Sequence, residues 1–391
     1  MHIAFYAPMK SPRSARPSGD RKIGALFMSA LDQAGLNVSL ASEFRSWEGT
    51  GDRHRQESIR QQACAIANEL IEQYLAMAAP QRPKAWFTYH LYHKAPDWIG
   101  PRVCAALQIP YLLAEASVGH KQAGGKWDMG YQASVESIHL AQAIFTLNPV
   151  DLDGIQSVAR HDQTVTMIYP FLDVERLHLS DKIQLRHRVA TKMKIDPDRY
   201  WLLSVAMMRN DSKLISYELL ARSVQQLQRK DWLLLLIGDG AAELLVREYF
   251  RFDLDRRVYF LGKRDQAFIR EVMSAADLLV WPAVNEAIGM VALESLACGL
   301  PVIWGKSGGI EQIVRHRKTG ILIDQTEASS ACAEFAENIE LLLSNPGELS
   351  KMSAASLDKY HRLHRLEAAA QILGDIIHPL LNQPHRTKIP N

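Results

Sequence analysis

Two glutamates, Glu286 and Glu294, stand eight positions apart in NEAIGMVALESLACGLPVI (285–303), around a glycine and within an apolar run. Leu278–Trp281 reads as a buried strand, and PAVNEA as the loop that leaves its carboxyl end. MVALESLACG then reads as a helix that starts near Gly289 and stops at Gly299. A helix N-terminus offers free N–H groups and a partial positive charge, which suits a phosphate. Glu286, in the loop, faces whatever is attached to that phosphate. Glu294 lies one to two turns into the helix, so roughly 8–12 Å separates the carboxylates. That spacing suits hydroxyls at opposite ends of one elongated ligand better than one reacting atom. Glutamates are common in helices, and two of them alone mean little. A carboxylate among Val291, Ala292, Leu293 and Leu296 is costly, however, unless it accepts hydrogen bonds. The surroundings argue for a ligand.

Cations accompany them. SVAMMRNDSKLISYELL (204–220) puts Arg209 and Lys213 in the loop and helix start that follow an apolar strand. Two cations there suit a diphosphate leaving group, because negative charge builds on it as its bond breaks. A solvated loop is the bland alternative. LLLLIGDG (233–240) ends a buried strand in a glycine turn at Gly238, and VYFLGKRD (258–265) carries Lys263 and Arg264. In the first half, MKSPRSARPSGDRKIG (9–24) is a polar loop with Lys10, Arg13, Arg16, Arg21 and Lys22 against Asp20 alone. Such a loop meets phosphate or an anionic membrane surface, or is simply solvated. YLLAEASVGHK (111–121) and TYHLYHK (88–94) end strands in Glu115 and His120, and in His90 and His93.

The elements that must hold these residues alternate short apolar runs with longer amphipathic ones, the pattern of an α/β architecture with parallel sheets. Strands are expected at His2–Ala7, Val38–Ala41, Ala85–Tyr89, Tyr111–Ala114, Ala143–Leu147 and Val165–Tyr169. Helices fall between them at Gly24–Ala34, Glu57–Met77, Trp98–Leu107 and Ala133–Ala141. YPFLDVERL (169–177) interrupts the rhythm with a proline, and a second alternation runs from Trp201 to Ile323. At 391 residues two domains are expected. They are 1–172 and 173–365, with a helical stretch at 366–391.

Composition narrows the classes. Hydrophobic residues at 47% and charged ones at 23% are ordinary for a globular protein, and a net charge of +2 is too small to argue for nucleic acid. Cys64, Cys104, Cys298 and Cys332 lie far apart without CxxC spacing, which fits reduced thiols in a cytoplasmic protein. MHIAFYAPMK lacks a signal-peptide pattern, and no apolar run approaches a membrane span. The expected location is cytoplasmic, peripheral at a membrane's inner face at most.

NEAIGMVALESLACGLPVIWGKSGGIEQIV, followed by TGILI, resembles the signature of the retaining family 4 glycosyltransferases of the GT-B fold, the glycosyl transferases of group 1. Glu286, Glu294, Gly289, Gly299 and Pro301 keep the family's places, while Ala287, Ile288 and Met290 depart from its usual Gly-Phe and Leu. The resemblance implies two doubly wound Rossmann-like domains facing a central cleft, with a C-terminal helix crossing back to the first. It implies transfer of a sugar from a nucleoside diphosphate sugar, with UDP or GDP, to an acceptor hydroxyl. The family's commonest setting is cell-surface polysaccharide or glycolipid synthesis. By the same resemblance Glu294 holds ribose hydroxyls and Glu286 sugar hydroxyls, and N–H groups around Gly289, Met290 and Val291 cradle the diphosphate.

Arg209 and Lys213 then neutralise that diphosphate, at a spacing of four where the family commonly has five. The Gly238 turn lies close to the nucleotide, Lys263 near the base, and Gly19 at the phosphates or acceptor. Where many relatives carry a first-domain histidine, this chain has Glu115, then His120, with His90 and His93 competing. The implied reaction is front-face attack, the leaving phosphate taking the acceptor's proton, with no metal and no cofactor beyond the donor substrate. The acceptor is a carbohydrate, a lipid-linked molecule or a small molecule. A nucleotide-sugar epimerase and a non-catalytic nucleotide or sugar binder are the alternatives. A dinucleotide dehydrogenase fails on the absent GxGxxG. The DLD segments at 151–153 and 253–255 read as helix or turn rather than metal loops, and HLYH lacks the further ligands zinc needs.

Overall fold

The computed structural model describes residues 1–15, 18–174, 182–253 and 256–382. They form two compact units: Met1–Phe171 with the last helix Leu366–Asn382, and Leu172–Arg365. Each has its own six-stranded parallel sheet.

In the first unit the strands are β1 His2–Tyr6, β2 Asn37–Ser42, β3 Ala85–Leu91, β4 Tyr111–Ala116, β5 Ala143–Thr146 and β6 Thr164–Met167. They lie in the order β2-β1-β3-β4-β5-β6. In the second unit they are β7 Tyr200–Val205, β8 Trp232–Ile237, β9 Val258–Gly262, β10 Leu278–Trp281, β11 Val302–Gly305 and β12 Gly320–Ile323. Their order is β12-β11-β10-β7-β8-β9. The strand sequences show why. Central strands such as β8 (WLLLLI) and β10 (LLVW) are buried at every position, as strands covered by helices on both faces must be. The edge strand β2 (NVSLAS) admits polar residues and stays partly exposed.

Both orders reverse once, between β1 and β3 in one unit and between β7 and β10 in the other. Connections on either side of such a point leave towards opposite faces of the sheet, which opens a crevice at the strands' carboxyl ends. The loops after β7 and β10 flank that crevice in the second unit, and those after β1 and β3 in the first.

Three helix starts fall earlier than expected, while the helix expected from Trp98 starts later, at Gly100. The helix expected from Gly24 starts at Gly19, where Ser18 Oγ accepts from Arg21 N at 3.2 Å. The one expected from Glu57 starts at Arg53, capped by Asp52, which accepts from Arg55 N at 3.0 Å. The one expected from Ala133 starts at Asp128. In the first two the opening turn, residues 19–22 and 53–56, is polar, so apolar periodicity begins only after it and the cap residue sets the true start; the third opens with the half-buried Asp128 and Met129 and has no side-chain cap.

The last helix packs along the helix Gly19–Gln33, and His378 Nε2 lies 2.8 Å from Ala34 O at that helix's end. The chain passes between units at Phe171/Leu172 and Arg365/Leu366. Leu172 and Arg365 pair in a β-bridge, with Leu172 N donating to His364 O at 2.9 Å. Residues Glu175–Leu177 of YPFLDVERL lie outside the described residues, as do Arg16 of the basic loop and Leu254 and Asp255 of the second DLD. Among the described residues no helix is long and apolar enough to cross a membrane.

Candidate functional site

At the second unit's reversal point, the loop after β7 carries Arg209 and enters the helix Ser212–Gln225 at Lys213. Asp211 caps that helix by accepting from Lys213 N at 2.8 Å. The loop is strapped to the turn after β8: Ala206 N donates to Ile237 O at 3.0 Å, and Met208 N to Asp239 O at 2.8 Å. Gly238 has to be glycine for this contact. Its φ is +144°, and a Cβ would stand 1.9 Å from Ala206 O.

The loop after β10 runs from Pro282 to Gly289, with Ala283, Asn285 and Gly289 all at positive φ (55°, 53° and 77°). Backbone in this region costs on the order of 1 kcal/mol per non-glycine residue and persists only where surroundings impose it. Here Ser216 Oγ accepts from Val284 N at 3.0 Å. Ser307 Oγ donates to Ala283 O at 2.8 Å, and Gly309 N to Ala287 O at 2.8 Å. Gly308, at φ +52°, comes so close that a Cβ would lie 2.3 Å from Ala287 O. The downstream Gly-Gly is thus a brace for the glutamate loop.

The helix Met290–Ala297 follows with no side-chain cap on its first turn. Gly289 is buried, its empty side-chain position closed by Trp304 and Ile310, and Met290 and Val291 are half-buried. Glu294 is 8% exposed, one turn in. Gly299, at φ +65°, ends the helix, with Leu300 N donating to Ser295 O at 2.9 Å.

These two loops bring Lys213 and Glu286 together. The Lys213 ammonium donates directly to Glu286 Oε2 and lies 5.5 Å from the Trp281 ring centroid. Their side chains are 22% and 24% exposed. Expectation gave them separate partners, diphosphate and sugar; without ligand each serves as the other's. Arg209 is exposed in the same loop, its guanidinium 3.1 Å from Met207 Sδ. Lys263 and Arg264 are exposed after β9.

In the first unit, Gly19 is the exposed first residue of its helix, and Asp20 beside it pairs with His90 Nδ1 at 2.9 Å. His90 (φ 62°) and Glu115 (φ 55°) both stand in the left-handed region, near the carboxyl ends of neighbouring strands β3 and β4. Burial pushes the Glu115 carboxyl up to about 7, against the pull of the Leu147 N–H that it accepts and the nearby His90. His120 is held in a turn between Tyr131 Oη (3.3 Å) and Ser157 Oγ (3.0 Å). His93 packs edge-on to Trp127. Of the acidic DLD segments, Asp151 and Asp153 lie in a short helical stretch and Asp253 pairs with Arg257. The Asp20–His90 pair was missed in sequence, although Asp20 was the one acid in a basic loop.

Glu115 makes a pH prediction. Folding raises its pKa from 4.5 to about 7, so between those values the folded chain keeps a proton that the unfolded chain has released. The stability this contributes is full below about 4.5 and lost as pH rises through about 7. Glutamine keeps an oxygen for Leu147 N but does not titrate. The melting temperature of Glu115→Gln should therefore gain on that of the unaltered chain between pH 5 and pH 8. A difference that stays constant across that range would contradict the buried-carboxyl reading.

Residues 199–345 match the family described as Glycosyl transferases group 1. A D-inositol 3-phosphate glycosyltransferase of Thermobispora bispora is 34% identical over 152 residues, 39% of this chain and 32% of that one. The N-acetyl-alpha-D-glucosaminyl L-malate synthase of Bacillus anthracis is 26% identical over 206 residues, 52% of each chain. The chain thus spans about half or less of these relatives' lengths. Among solved structures, HepE of Anabaena in complex with UDP superposes with a TM-score of 0.71 at 14% identity, covering 97% of this chain and 100% of that one. Sucrose-phosphate synthase from Thermosynechococcus elongatus gives 0.69 at 19%, covering 97% and 98%. The fold is GT-B.

Proposed function

We propose, from a chain whose second unit carries the group 1 glycosyl transferase domain, that it moves a sugar from a nucleoside diphosphate sugar to an acceptor hydroxyl with retention at the anomeric carbon. The observation that carries this reading is the Lys213–Glu286 pair at the second sheet's reversal point, beside a helix whose first turn has no side-chain cap. The diphosphate lies against the N–H groups of Met290 and Val291 and draws Lys213 and Arg209 to itself. Glu286, released from Lys213, accepts from sugar hydroxyls, and Glu294 accepts from the ribose. Gly238 lets the nucleotide approach the turn after β8, and Lys263 lies by the base.

As the anomeric C–O bond to phosphate breaks, the electron pair stays on the phosphate, where Lys213, Arg209 and the helix N-terminus stabilise it. The acceptor oxygen bonds to the same face of the carbon, and its proton passes to a phosphate oxygen. No carboxylate nucleophile is required, and the fixed positive groups stand where a divalent cation would. We assign the acceptor, a carbohydrate, lipid-linked or small molecule, to the first unit's crevice with Gly19, Glu115 and His120. Peripheral membrane contact through the 10–22 loop is part of the proposal. Some of that loop's polar capacity is already used, since Arg21 donates to Ser14 O at 3.1 Å.

The test is a panel of UDP- and GDP-sugars incubated with candidate acceptors, with and without EDTA. Nucleoside diphosphate should appear together with an acceptor glycoside of the donor's anomeric configuration, and EDTA should leave the rate unchanged. Interconversion of the sugar without acceptor would overturn transfer in favour of epimerisation. Activity lost to EDTA and restored by magnesium or manganese would overturn the metal-free reading.

A further inference from the structure

The turn between the short helix Ile310–Ile313 and β12 holds Arg315, His316, Arg317 and Lys318 in succession, all exposed. It is a built turn. Arg315 N donates to Thr319 Oγ1 at 2.9 Å, Lys318 N and Thr319 N both donate to Arg315 O at 2.9 Å, and Arg317 N donates to Gly320 O at 2.7 Å. Arg317 sits at φ 59°, and His316 Nδ1 accepts from Leu322 N at 3.0 Å, pinning the turn to β12.

Behind it, Lys359 Nζ donates to Gln312 O and Ile313 O at 2.7 and 2.8 Å. Burial, and then the neighbouring Arg315 charge, bring the Lys359 ammonium down to about 8. Cations are thus crowded here, and among the described residues none of Arg315, Arg317, Lys318 or Lys359 has a carboxylate within ion-pair distance. Nearby acids are engaged elsewhere: Glu311 with Lys306 at 3.1 Å and Asp358 with Arg362 at 3.0 Å. The patch therefore holds more positive charge than the whole chain's net +2.

We propose that this turn, backed by Lys359, docks the second unit on an anionic phospholipid surface. It lies at the amino end of β12, whereas the loops with Lys213, Glu286 and Gly289 leave the carboxyl ends of β7 and β10. Docking by this edge leaves the donor crevice open. Residues 310–320 contain no Phe, Tyr or Trp on which a nucleic acid base could stack, and their one ring, His316, is held by Leu322 N, so a phosphate-bearing lipid layer fits better than a single strand. Attraction of this kind is local and is screened within a Debye length.

The full chain is sedimented with vesicles of phosphatidylcholine alone and of phosphatidylcholine with phosphatidylglycerol, at low and high salt. Binding should require phosphatidylglycerol and fade at high salt. The triple variant Arg315→Gln, Arg317→Gln, Lys318→Gln should lower partition by about a hundredfold, with its melting temperature unchanged. A variant with Arg315→Lys and Arg317→Lys should keep it, because the surface reads charge rather than geometry. Arg13→Gln with Arg21→Gln and Lys22→Gln isolates the other basic segment. Triple-variant binding equal to that of the unaltered chain, equal binding to neutral vesicles, loss in the lysine variant, or tighter retention by duplex DNA than by vesicles would each overturn the proposal.

Discussion

Lys213→Ala should lower turnover by about a hundredfold to a thousandfold at saturating donor, the loss usual for one fixed group aimed at charge that develops during reaction. Lys213 is placed by three independent constraints. The Asp211 cap starts its helix, the loop before it is strapped to the Gly238 turn, and its ammonium reaches Glu286 beside Trp281. The pair's side chains are still 22% and 24% exposed and lie at a helix start and in a loop, outside the sheet core, so the variant should stay folded. Circular dichroism and the melting temperature check that. Affinity for the intact nucleoside diphosphate sugar should fall far less than turnover, because the added negative charge on the diphosphate appears only as the sugar leaves. Wild-type turnover in a folded variant would remove Lys213 from the reaction. An affinity loss that accounts for the whole effect would make it a ground-state binding group instead.

Glu294→Ala should weaken nucleoside diphosphate binding by about 1–3 kcal/mol, which is roughly five- to a hundredfold in Kd. Glu294 is 8% exposed, among the fully buried Ala292, Leu293 and Leu296 and beside the buried Ser295, whose hydroxyl donates to Ala292 O at 2.8 Å. If ribose hydroxyls donate to it, alanine leaves them without a partner in a place water reaches poorly. Titration calorimetry with UDP and GDP measures this without needing the acceptor or the sugar. Glu286→Ala should behave differently, weakening the intact donor more than the free nucleotide, since it is assigned to the sugar end. Unchanged nucleotide affinity in Glu294→Ala would sink the ribose assignment, and equal effects of both substitutions on both ligands would dissolve the division of labour.

Local structure was legible in the sequence where a residue's type conflicted with its neighbours. Glu294 inside an apolar helix and Gly289 ahead of it were readable because burial makes a carboxylate costly and a positive φ makes a side chain costly. Strand cores were legible for a related reason: β10 falls at the expected residues because a doubly covered strand must be apolar at every position. Helix starts at Gly19 and Arg53 were not, since polar first turns carry no periodic signal, and the start at Asp128 was not, since it has no side-chain cap to mark it. Sequence also could not show that Lys213 and Glu286, 73 positions apart, share an ion pair, because that follows from β7 and β10 being neighbours across a reversed strand order. Nor could it show that Ser216 and Ser307 brace the glutamate loop, as a serine has no composition that marks such a role. The His90–Asp20 pair depends in the same way on β1 and β3 lying side by side.

The central claim is that the Lys213–Glu286 crevice binds a nucleoside diphosphate sugar, and ligand-dependent melting tests it most directly. At a concentration of about a hundred times Kd, a ligand held only by the folded chain adds about 2.7 kcal/mol, or on the order of 5 °C in melting temperature. At least one UDP- or GDP-sugar should produce that shift. Combining Glu286→Ala with Lys213→Ala should abolish most of it while leaving the unliganded melting temperature nearly unchanged. A complete panel of nucleoside diphosphates and their sugars giving no shift at millimolar concentration, or a shift that survives the double substitution intact, would contradict the account.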